Sequence, residues 1–177
     1  PNPKLAAEMP EAYTNMGLTA ENLAALYEIE RETQETFAVE SHLKAANTDF
    51  TDVIIPITTA DGVVSSDGCI RPNSNVSSLA RLGPAFKADG SVTAGTSSPL
   101  TDGAAFVLVC SEKFALEQGL KILASIESTA VSGCSPEIMG IGPVAASQKA
   151  LARAGVRLED IDVIELNEAF SAQSLAV

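Results

Sequence analysis

The chain has 177 residues, and 46% of them are hydrophobic, so it is long enough to bury a core of its own. Acidic residues outnumber basic ones by 23 to 11, and the net charge of −12 argues against a nucleic-acid partner, because phosphates require a basic surface. No apolar run approaches the length of a membrane span, and the first residues do not resemble a signal peptide. We therefore expect a soluble intracellular protein, whose compartment (cytoplasm, mitochondrion or peroxisome) the sequence does not resolve.

The cysteines and the histidine do not form a recognisable metal or disulfide pattern. Cys69, Cys110 and Cys134 are odd in number and lack paired spacing, and His42 is the single histidine. These residues predict free thiols in a reducing compartment and no zinc site.

Two helices are predicted in the first third of the chain. The first has Thr19 as its N-cap and Glu21 in its first turn, where negative charge suits the helix dipole. The second runs from near Glu30 to Ala46 and carries His42, which is expected to be a surface or packed residue rather than a catalytic one.

Strands and loops are predicted after these helices. Residues 52–58 contain the β-branched run Val53-Ile54-Ile55 bounded by turn formers, which predicts a strand, and residues 60–78 have the composition of a loop. A short strand is expected close to residue 92. The continuous apolar run 106–110 predicts a strand covered on both faces, with Cys110 in the core.

The second half of the chain is expected to alternate strands and helices. Ser111 is predicted to cap a short helix that stops at Gly119, and a strand should begin at residues 122–126. A helix over residues 144–154 should end at Gly155.

Asn167 lies where an apolar run meets Ala-rich sequence of helical character, so it is placed at a strand-to-helix turn. Open α/β sheets bind ligands at such turns. Asn is also a favoured helix N-cap, which gives Asn167 a purely structural alternative role.

The tetrapeptide Asn167-Glu168-Ala169-Phe170, preceded by Asp160-Ile161-Asp162 and followed by Gln173, resembles the Asn-Glu-Ala-Phe motif of thiolases. This resemblance implies an α/β chain with part of the layered αβαβα thiolase fold. In that family the asparagine holds a water that, with a histidine, forms an oxyanion hole. The resemblance therefore implies a catalytic role for Asn167 and substrate contacts by Ala169 and Phe170.

A second region of the chain also resembles thiolases, through Pro84-Ala85-Phe86, Thr93-Ala94-Gly95 and Ser98 before Asp102-Gly103-Ala104-Ala105. In the family an arginine at the distance of Arg71 contacts CoA, and a guanidinium can both stack on adenine and pair with phosphate. The further CoA contacts that the resemblance implies are Ser78, Leu82, Phe86, Ala94 and Ser98.

Two methionines resemble family residues near the acyl group. Met16 matches a residue of the acyl pocket, although Asn15 stands where some members have histidine. Met139 belongs to Met139-Gly140-Ile141-Gly142-Pro143, which resembles the Met-Gly-x-Gly-Pro turn of the family, and a gap-filling core Met is the alternative. Cys134 lies at a position that is variable in thiolases, with no flanking histidine, and is not expected to be catalytic.

The resemblance also implies a domain organisation. Residues 1–100 would form the loop domain that covers CoA, 101–119 the end of the N-terminal domain, and 120–177 the start of a truncated C-terminal domain. The helix-forming residues 173–177 contain no stop signal, so the chain is expected to end in mid-helix and to be a fragment.

The function expected from the resemblance is acyl transfer between CoA and 3-oxoacyl-CoA, in the thiolytic direction of fatty-acid β-oxidation. CoA would be a substrate rather than a permanent cofactor, and the full-length enzyme would be a homodimer or homotetramer. Thiolases use an upstream nucleophilic cysteine and a downstream histidine and cysteine that are absent here, so this chain alone is expected to be inactive.

Three alternatives stay open at this point. They are a biosynthetic thiolase that forms acetoacetyl-CoA, a non-catalytic thiolase-like protein that binds CoA esters or lipids, and a ketoacyl-synthase relative. The last is disfavoured by the Asn167 tetrapeptide.

Overall fold

The computed structural model describes residues 1–177 and divides into two compact units. The first unit comprises Pro1–Pro99, Cys134–Ile141 and Leu166–Val177, and the second comprises Leu100–Gly133 and Gly142–Glu165. Each unit therefore contains segments that are distant in the sequence.

The first unit is mainly helical. Its α-helices are α1 (Pro3–Glu8), α2 (Met16–Leu26), α3 (Arg31–Ala46), α4 (Val76–Leu79) and α7 (Ser171–Ala176), and its 3-10 helices are Pro10–Tyr13, Ala94–Thr96 and Pro136–Ile141. The second predicted helix is confirmed as α3, with Glu30 at its N-cap.

The prediction that Thr19 caps the first long helix is wrong. Asn15 is the N-cap of α2, because its Oδ1 accepts a hydrogen bond from the Gly17 N–H at 2.8 Å. Thr19 lies inside α2, where its hydroxyl donates to the carbonyl oxygen of Met16 at 2.7 Å. Glu21 is consequently beyond the first turn, and it is buried.

The strand predicted at 52–58 forms later in the chain. β1 (Ile57–Thr59) pairs antiparallel with β2 (Gly62–Val64), which lies inside the predicted loop. The chain turns soon after α3, where the Asp49 carboxylate accepts hydrogen bonds from the backbone N–H and the hydroxyl of Thr51. These bonds, the backbone one first, hold the pKa of Asp49 below its usual value.

The core of the first unit is built from small residues. Ala20 and Ala24 of α2, Val92, and Ala172 of α7 form a buried cluster, and the partly buried hydrophobic residues packed against it are Ile29, Phe86 and Phe170. Alanine at these positions lets the helix backbones approach closely.

Gly17 of α2 lies against the ring of Phe86, and a Cβ at this position would be 2.2 Å from the Phe86 Cδ1. We expect Gly17→Ala to destabilise the protein by about 1–3 kcal/mol, because overpacking outweighs the gain in helix propensity. Thermal unfolding measures the change. Phe86→Leu in the same variant should recover part of the loss, whereas a more stable Gly17→Ala variant would contradict the packing.

The second unit contains α5 (Glu112–Glu117), α6 (Gly142–Ala154) and the 3-10 helix Leu158–Asp160. The Ser111 hydroxyl oxygen accepts from the Phe114 N–H at 3.2 Å, which confirms the predicted N-cap of α5. Gly119 and Gly155 follow α5 and α6 with φ of +64° and +70°, as expected where glycine ends a helix.

Polar side chains connect parts of the second unit. The hydroxyls of Ser128 and Ser132 donate to the carbonyls of Ala150 and Gly142 at 2.7 and 2.8 Å. At the exposed 3-10 helix, the side-chain hydrogen bonds from Arg157 lower the pKa of Asp160, and the same contact raises the pKa of Arg157.

The strands predicted at 106–110, at 122–126 and in the apolar run before Asn167 are not formed. None of these segments has a ladder partner, and the side chain of Phe106 is fully exposed. Cys110 is likewise exposed and not in the core, which corrects its predicted position. An apolar run becomes a strand only when a neighbouring strand accepts and donates its backbone hydrogen bonds.

No helix of the structure combines the length and the apolar character that crossing a membrane requires.

Candidate functional site

The segment 167–170 leads directly into α7 in the first unit. Asn167 and Glu168 are exposed, while Ala169 and Phe170 are partly buried. Phe170, with extended φ and ψ of −146° and 140°, is the N-cap of α7. The alternative that Asn167 caps this helix is therefore wrong, and its side-chain amide is open to solvent.

The segment 167–170 is held against residues 97–98. The Ser98 N–H donates to the carbonyl oxygen of Ala169 at 2.9 Å, and Ser97 forms an isolated antiparallel bridge with Phe170. Two regions that lie about 70 residues apart in the sequence, 97–98 and 169–170, are thus adjacent. The contact uses the backbone N–H of Ser98, so the exposed Ser98 hydroxyl is left available for another partner.

Phe86 and Phe170 are in direct aromatic contact. Their ring centroids are 5.7 Å apart with an interplanar angle of 82°, an edge-to-face pair. Both rings also pack on the alanine-rich core. This contact fixes the loop that contains Phe86 relative to the segment 167–170.

Ser78, Leu82 and Ala94 lie on neighbouring turns of the first unit. In the capping box of α4, the Asn75 Oδ1 accepts from the Ser78 N–H at 2.9 Å and the Ser78 hydroxyl oxygen accepts from the Asn75 N–H at 3.4 Å. The Ser78 hydroxyl also donates to the Asn75 carbonyl oxygen at 2.7 Å. Leu82 and Ala94 are exposed, and a Cβ on Gly95 would be 2.8 Å from the Leu82 Cδ1. The turn at residues 94–95 therefore packs on Leu82.

Arg71 is exposed and connected to α3 through its backbone. Its N–H donates to the Nδ1 of His42 at 3.3 Å. The guanidinium is thus carried by a loop whose backbone is attached to a helix, and it supplies positive charge on a chain whose net charge is −12.

Met16 and Met139 lie on elements that pack together within the first unit. Met16 begins α2, and Met139 belongs to the 3-10 helix Pro136–Ile141. The Asn22 amide on α2 donates to the Glu137 carbonyl oxygen at 2.9 Å. Both methionines are more than two-fifths exposed, so Met139 is not the gap-filling core residue that was its alternative role. Cys134 is exposed, and its thiol donates to the Met139 carbonyl oxygen at 3.7 Å.

Glu21 supports this region and was not recognised from the sequence. Its Oε1 accepts from the Val92 N–H at 2.9 Å, and its Oε2 accepts from the Ser91 N–H at 2.9 Å and the Ser91 hydroxyl at 3.3 Å. Gln34 of α3 donates to the same Ser91 hydroxyl at 2.9 Å. The sequence signal for this role is a glutamate on the apolar face of a helix, because a carboxylate that is buried there must accept hydrogen bonds from nearby donors.

Arg31 and Glu35 form a second support that the sequence analysis missed. The Arg31 Nε donates to the Glu35 carboxylate at 2.7 Å, and the Glu35 side chain is 3% exposed. The remaining Arg31 donor bonds are to the carbonyls of Leu79, Ala80 and Leu82. An Arg and a Glu four residues apart signalled the pair.

A cavity of about 500 Å³ lies beside α3 and α7. None of the predicted CoA contacts lines it; the lining residues are Glu30, Glu32, Thr33, Thr36, Phe37, Glu40 and Leu175. Three glutamates would repel an anionic ligand such as CoA, so this cavity is not the candidate site. No group of three or more potential ligands is placed to hold a metal ion.

Both the sequence and the structure of this chain are similar to those of known proteins. Residues 5–113 match the family model of the thiolase N-terminal domain, and residues 120–177 match that of the thiolase C-terminal domain. A 3-ketoacyl-CoA thiolase of Pseudoalteromonas translucida is 50% identical over 99% of this chain and 48% of its own length. An acetyl-CoA acetyltransferase of Chromobacterium violaceum is 46% identical over 96% of this chain and 46% of its own length.

Solved structures give the same result. The acetyl-CoA acetyltransferase of Bacillus anthracis superposes with a TM-score of 0.83 at 47% identity, over 91% of this chain and 43% of that one. Human mitochondrial 3-ketoacyl-CoA thiolase in complex with CoA superposes with a TM-score of 0.85 at 43% identity, over 91% of this chain and 42% of that one. The predicted thiolase fold is confirmed, and the chain spans about half the length of the curated relatives it matches. With thiolase family models matching residues 5–113 and 120–177, which is most of its length, the chain belongs to the thiolase family.

Proposed function

We propose that this chain supplies the CoA groove and one oxyanion-hole residue of a 3-ketoacyl-CoA thiolase. The reaction would be cleavage of 3-oxoacyl-CoA by CoA, which gives acetyl-CoA and an acyl-CoA shortened by two carbons. The observation that carries the proposal is the hydrogen bond from the Ser98 N–H to the Ala169 carbonyl. It places the serine expected to bind pantetheine beside the segment that contains Asn167.

Asn167 would act on the thioester oxygen of bound substrate through a water molecule. Its amide is exposed next to a segment that is fixed by Ser98 and Phe86, so it can hold a water in a defined place. Donors aimed at developing negative charge are often the largest single contribution to acyl-transfer catalysis. The nucleophilic cysteine would have to come from sequence outside this chain, and the chain alone should be inactive.

Arg71 and five further residues would bind CoA. Arg71 would pair with phosphate or stack on adenine, and this local cation would offset the repulsion between CoA and an acidic protein. The residues proposed to line the pantetheine groove are Ser78, Leu82, Phe86, Ala94 and Ser98, with Met16, Met139, Ala169 and Phe170 closer to the acyl group.

The direction of the reaction is proposed to be degradative. Relatives named 3-ketoacyl-CoA thiolase and acetyl-CoA acetyltransferase are both close to this chain, so acetoacetyl-CoA formation is the second candidate. Thiolysis rates of the whole protein on long-chain 3-oxoacyl-CoA and on acetoacetyl-CoA distinguish them. Binding of CoA without turnover of either substrate would favour a carrier instead.

The domain organisation and assembly are part of the same proposal. Residues 1–100 would be the loop domain over CoA, with 101–119 and 120–177 belonging to the N-terminal and C-terminal domains. The whole protein would be a homodimer or homotetramer, which light scattering on the purified protein can test.

Asn167→Ala in the whole protein should lower kcat more than about tenfold, the scale of one lost oxyanion donor. The reason is that alanine cannot hold the water that faces the thioester oxygen. Steady-state thiolysis measures the effect, with Asn47→Ala at the exposed end of α3 as a matched control. An unchanged kcat in the Asn167 variant would refute its catalytic role.

A further inference from the structure

Two consecutive residues of α3 contact the two ends of the candidate site. The Ser41 hydroxyl donates to the Oε2 of Glu168 at 2.5 Å, and the Nδ1 of His42 accepts from the Arg71 N–H at 3.3 Å. Glu168 directly follows Asn167 in the chain. One helix therefore contacts both the proposed oxyanion region and the loop of the proposed CoA cation.

Helix α3 is itself firmly attached within the first unit. Near its beginning, Arg31 bonds to the carbonyls around α4, and the fully buried Gln34 donates to Ser91 at 2.9 Å. Residues 167–168 and 71, in contrast, lie outside helices and strands. The contacts at Ser41 and His42 thus connect irregular segments to a rigid element, which is how a site is held in a defined geometry.

We propose that Ser41 and His42 are positioning residues, and that α3 sets the placement of Asn167 relative to Arg71. This inference rests on the proposed function, since it assigns the two contacts to opposite ends of the same CoA thioester. Ser41 acts through Glu168 on the backbone that carries Asn167. His42 acts on the backbone that carries the Arg71 guanidinium.

The chemistry of the Ser41 contact suits this role. A hydroxyl that donates to a carboxylate at this distance is a short charge-assisted bond. It fixes residue 168, while the contacts of Ser97 and Ser98 fix residues 170 and 169. Without it, the nearest of these contacts would be at residue 169, two residues from Asn167. Small displacements of a catalytic group can lower the reaction rate strongly.

The His42 contact specifies a tautomer. Nδ1 can accept the Arg71 N–H only when the ring proton is on Nε2. Arg71 precedes Pro72, which restricts its backbone to extended conformations, so one further hydrogen bond leaves little freedom to the residue. Loss of the bond should make the position of the Arg71 guanidinium less well defined without altering its charge.

The two contacts predict opposite kinetic signatures in the whole protein. Ser41→Ala should lower kcat about threefold to tenfold, the range expected for one hydrogen bond, with KM for CoA within about twofold of the parent. His42→Ala should raise KM for CoA about threefold or more and leave kcat within about twofold. Alanine is the best helix former, so neither change should disturb α3 itself.

Conservative variants separate positioning from general structural loss. Ser41→Thr keeps a hydroxyl donor and His42→Asn keeps an acceptor near the Nδ1 position, so each should recover most of what its alanine variant loses. In a Glu168→Gln background the effect of Ser41→Ala should shrink, because the charge-assisted bond is already weakened.

Each outcome decides the inference. Reduced kcat in Ser41→Ala, raised KM in His42→Ala and recovery in the conservative variants support it. Equal changes of kcat and KM in both alanine variants, or no change in either, overturn it. If Asn167→Ala is slow while Ser41→Ala is normal, only the positioning role fails; if Asn167→Ala is normal, the proposed function fails and the inference with it.

Discussion

Replacing Glu21 by alanine should speed hydrogen exchange at the Val92 amide about 100-fold or more, which corresponds to a loss of about 3–5 kcal/mol in the local free energy of opening. The Glu21 carboxylate accepts three hydrogen bonds from Ser91 and Val92, and Val92 is fully buried. Alanine removes the acceptor and leaves these donors unpaired. Exchange of the peptide that spans residues 88–96, followed by mass spectrometry in the whole protein, measures the change.

Two controls test the assignment to hydrogen bonding. Glu21→Gln keeps the shape and one acceptor oxygen, but its amide must face a backbone N–H, so its exchange rate should lie between those of the parent and Glu21→Ala. Glu8→Ala removes an exposed glutamate of α1 and should leave residues 88–96 unchanged. Equal exchange in Glu21→Ala and the parent would show that the carboxylate does not hold this loop.

The same loop leads into the candidate site, so the Glu21 variant should also bind CoA more weakly. Ala94 and Ser98 follow Val92 within a few residues, and the Val92 carbonyl accepts from the Ala85 N–H at 2.9 Å next to Phe86. Loosening residues 91–92 should therefore displace both sides of the proposed groove.

Helices were predictable from this sequence because their signals are local. The bounds of α3, the serine cap of α5 and the glycines after α5 and α6 follow from caps and periodicity within one stretch of chain. The N-cap of α2 was predicted at Thr19 and is Asn15, as the hydrogen bond from the Gly17 N–H to the Asn15 Oδ1 shows.

Strands were less predictable because a strand depends on residues elsewhere. The run 106–110 has the composition of a buried strand, yet it has no ladder partner and its side chains are exposed. β1 instead pairs with β2, a segment whose composition had indicated a loop.

The candidate site shows the same division between local and distant information. The residues with a motif, Asn167 and Ser98 among them, were found by resemblance, and the contact between Ser98 and Ala169 required the structure. Ser41 and Arg31 belong to none of the motifs that carry the resemblance, and Glu21 was interpreted only by its position in a helix. The partners of Ser41 and Glu21, and the carbonyls that Arg31 binds, are distant in sequence, so the folded chain is needed to identify these contacts.

Arg31→Ala should release the segment 76–86, with a loss of about 2–4 kcal/mol in the local free energy of opening. The Arg31 Nη2 donates to the Leu82 carbonyl oxygen at 2.5 Å and to two carbonyls at the end of α4. The same side chain neutralises Glu35, which is almost completely buried. Exchange of residues 76–86 should rise, and KM for CoA should rise with it, because Ser78, Leu82 and Phe86 lie in this segment.

The controls for Arg31 separate its charge from its geometry. Arg31→Lys keeps a positive charge beside Glu35 but lacks the planar guanidinium with its several donors. It should therefore still neutralise the buried Glu35 carboxylate but lose hydrogen bonds to the loop carbonyls. Arg81→Ala removes an exposed arginine from the same segment, whose Nε bonds only the Ser77 carbonyl, and should have a small effect.

A second substitution distinguishes the two sources of the Arg31 effect. In an Arg31→Ala background, Glu35→Gln removes the buried charge that has lost its partner, so it should recover part of the stability. It cannot restore the donors to the carbonyls of Leu79, Ala80 and Leu82, so exchange of residues 76–86 should stay fast. Full recovery of both quantities would mean that Arg31 serves only to neutralise Glu35, and that the shape of the proposed CoA groove does not depend on its bonds to the loop.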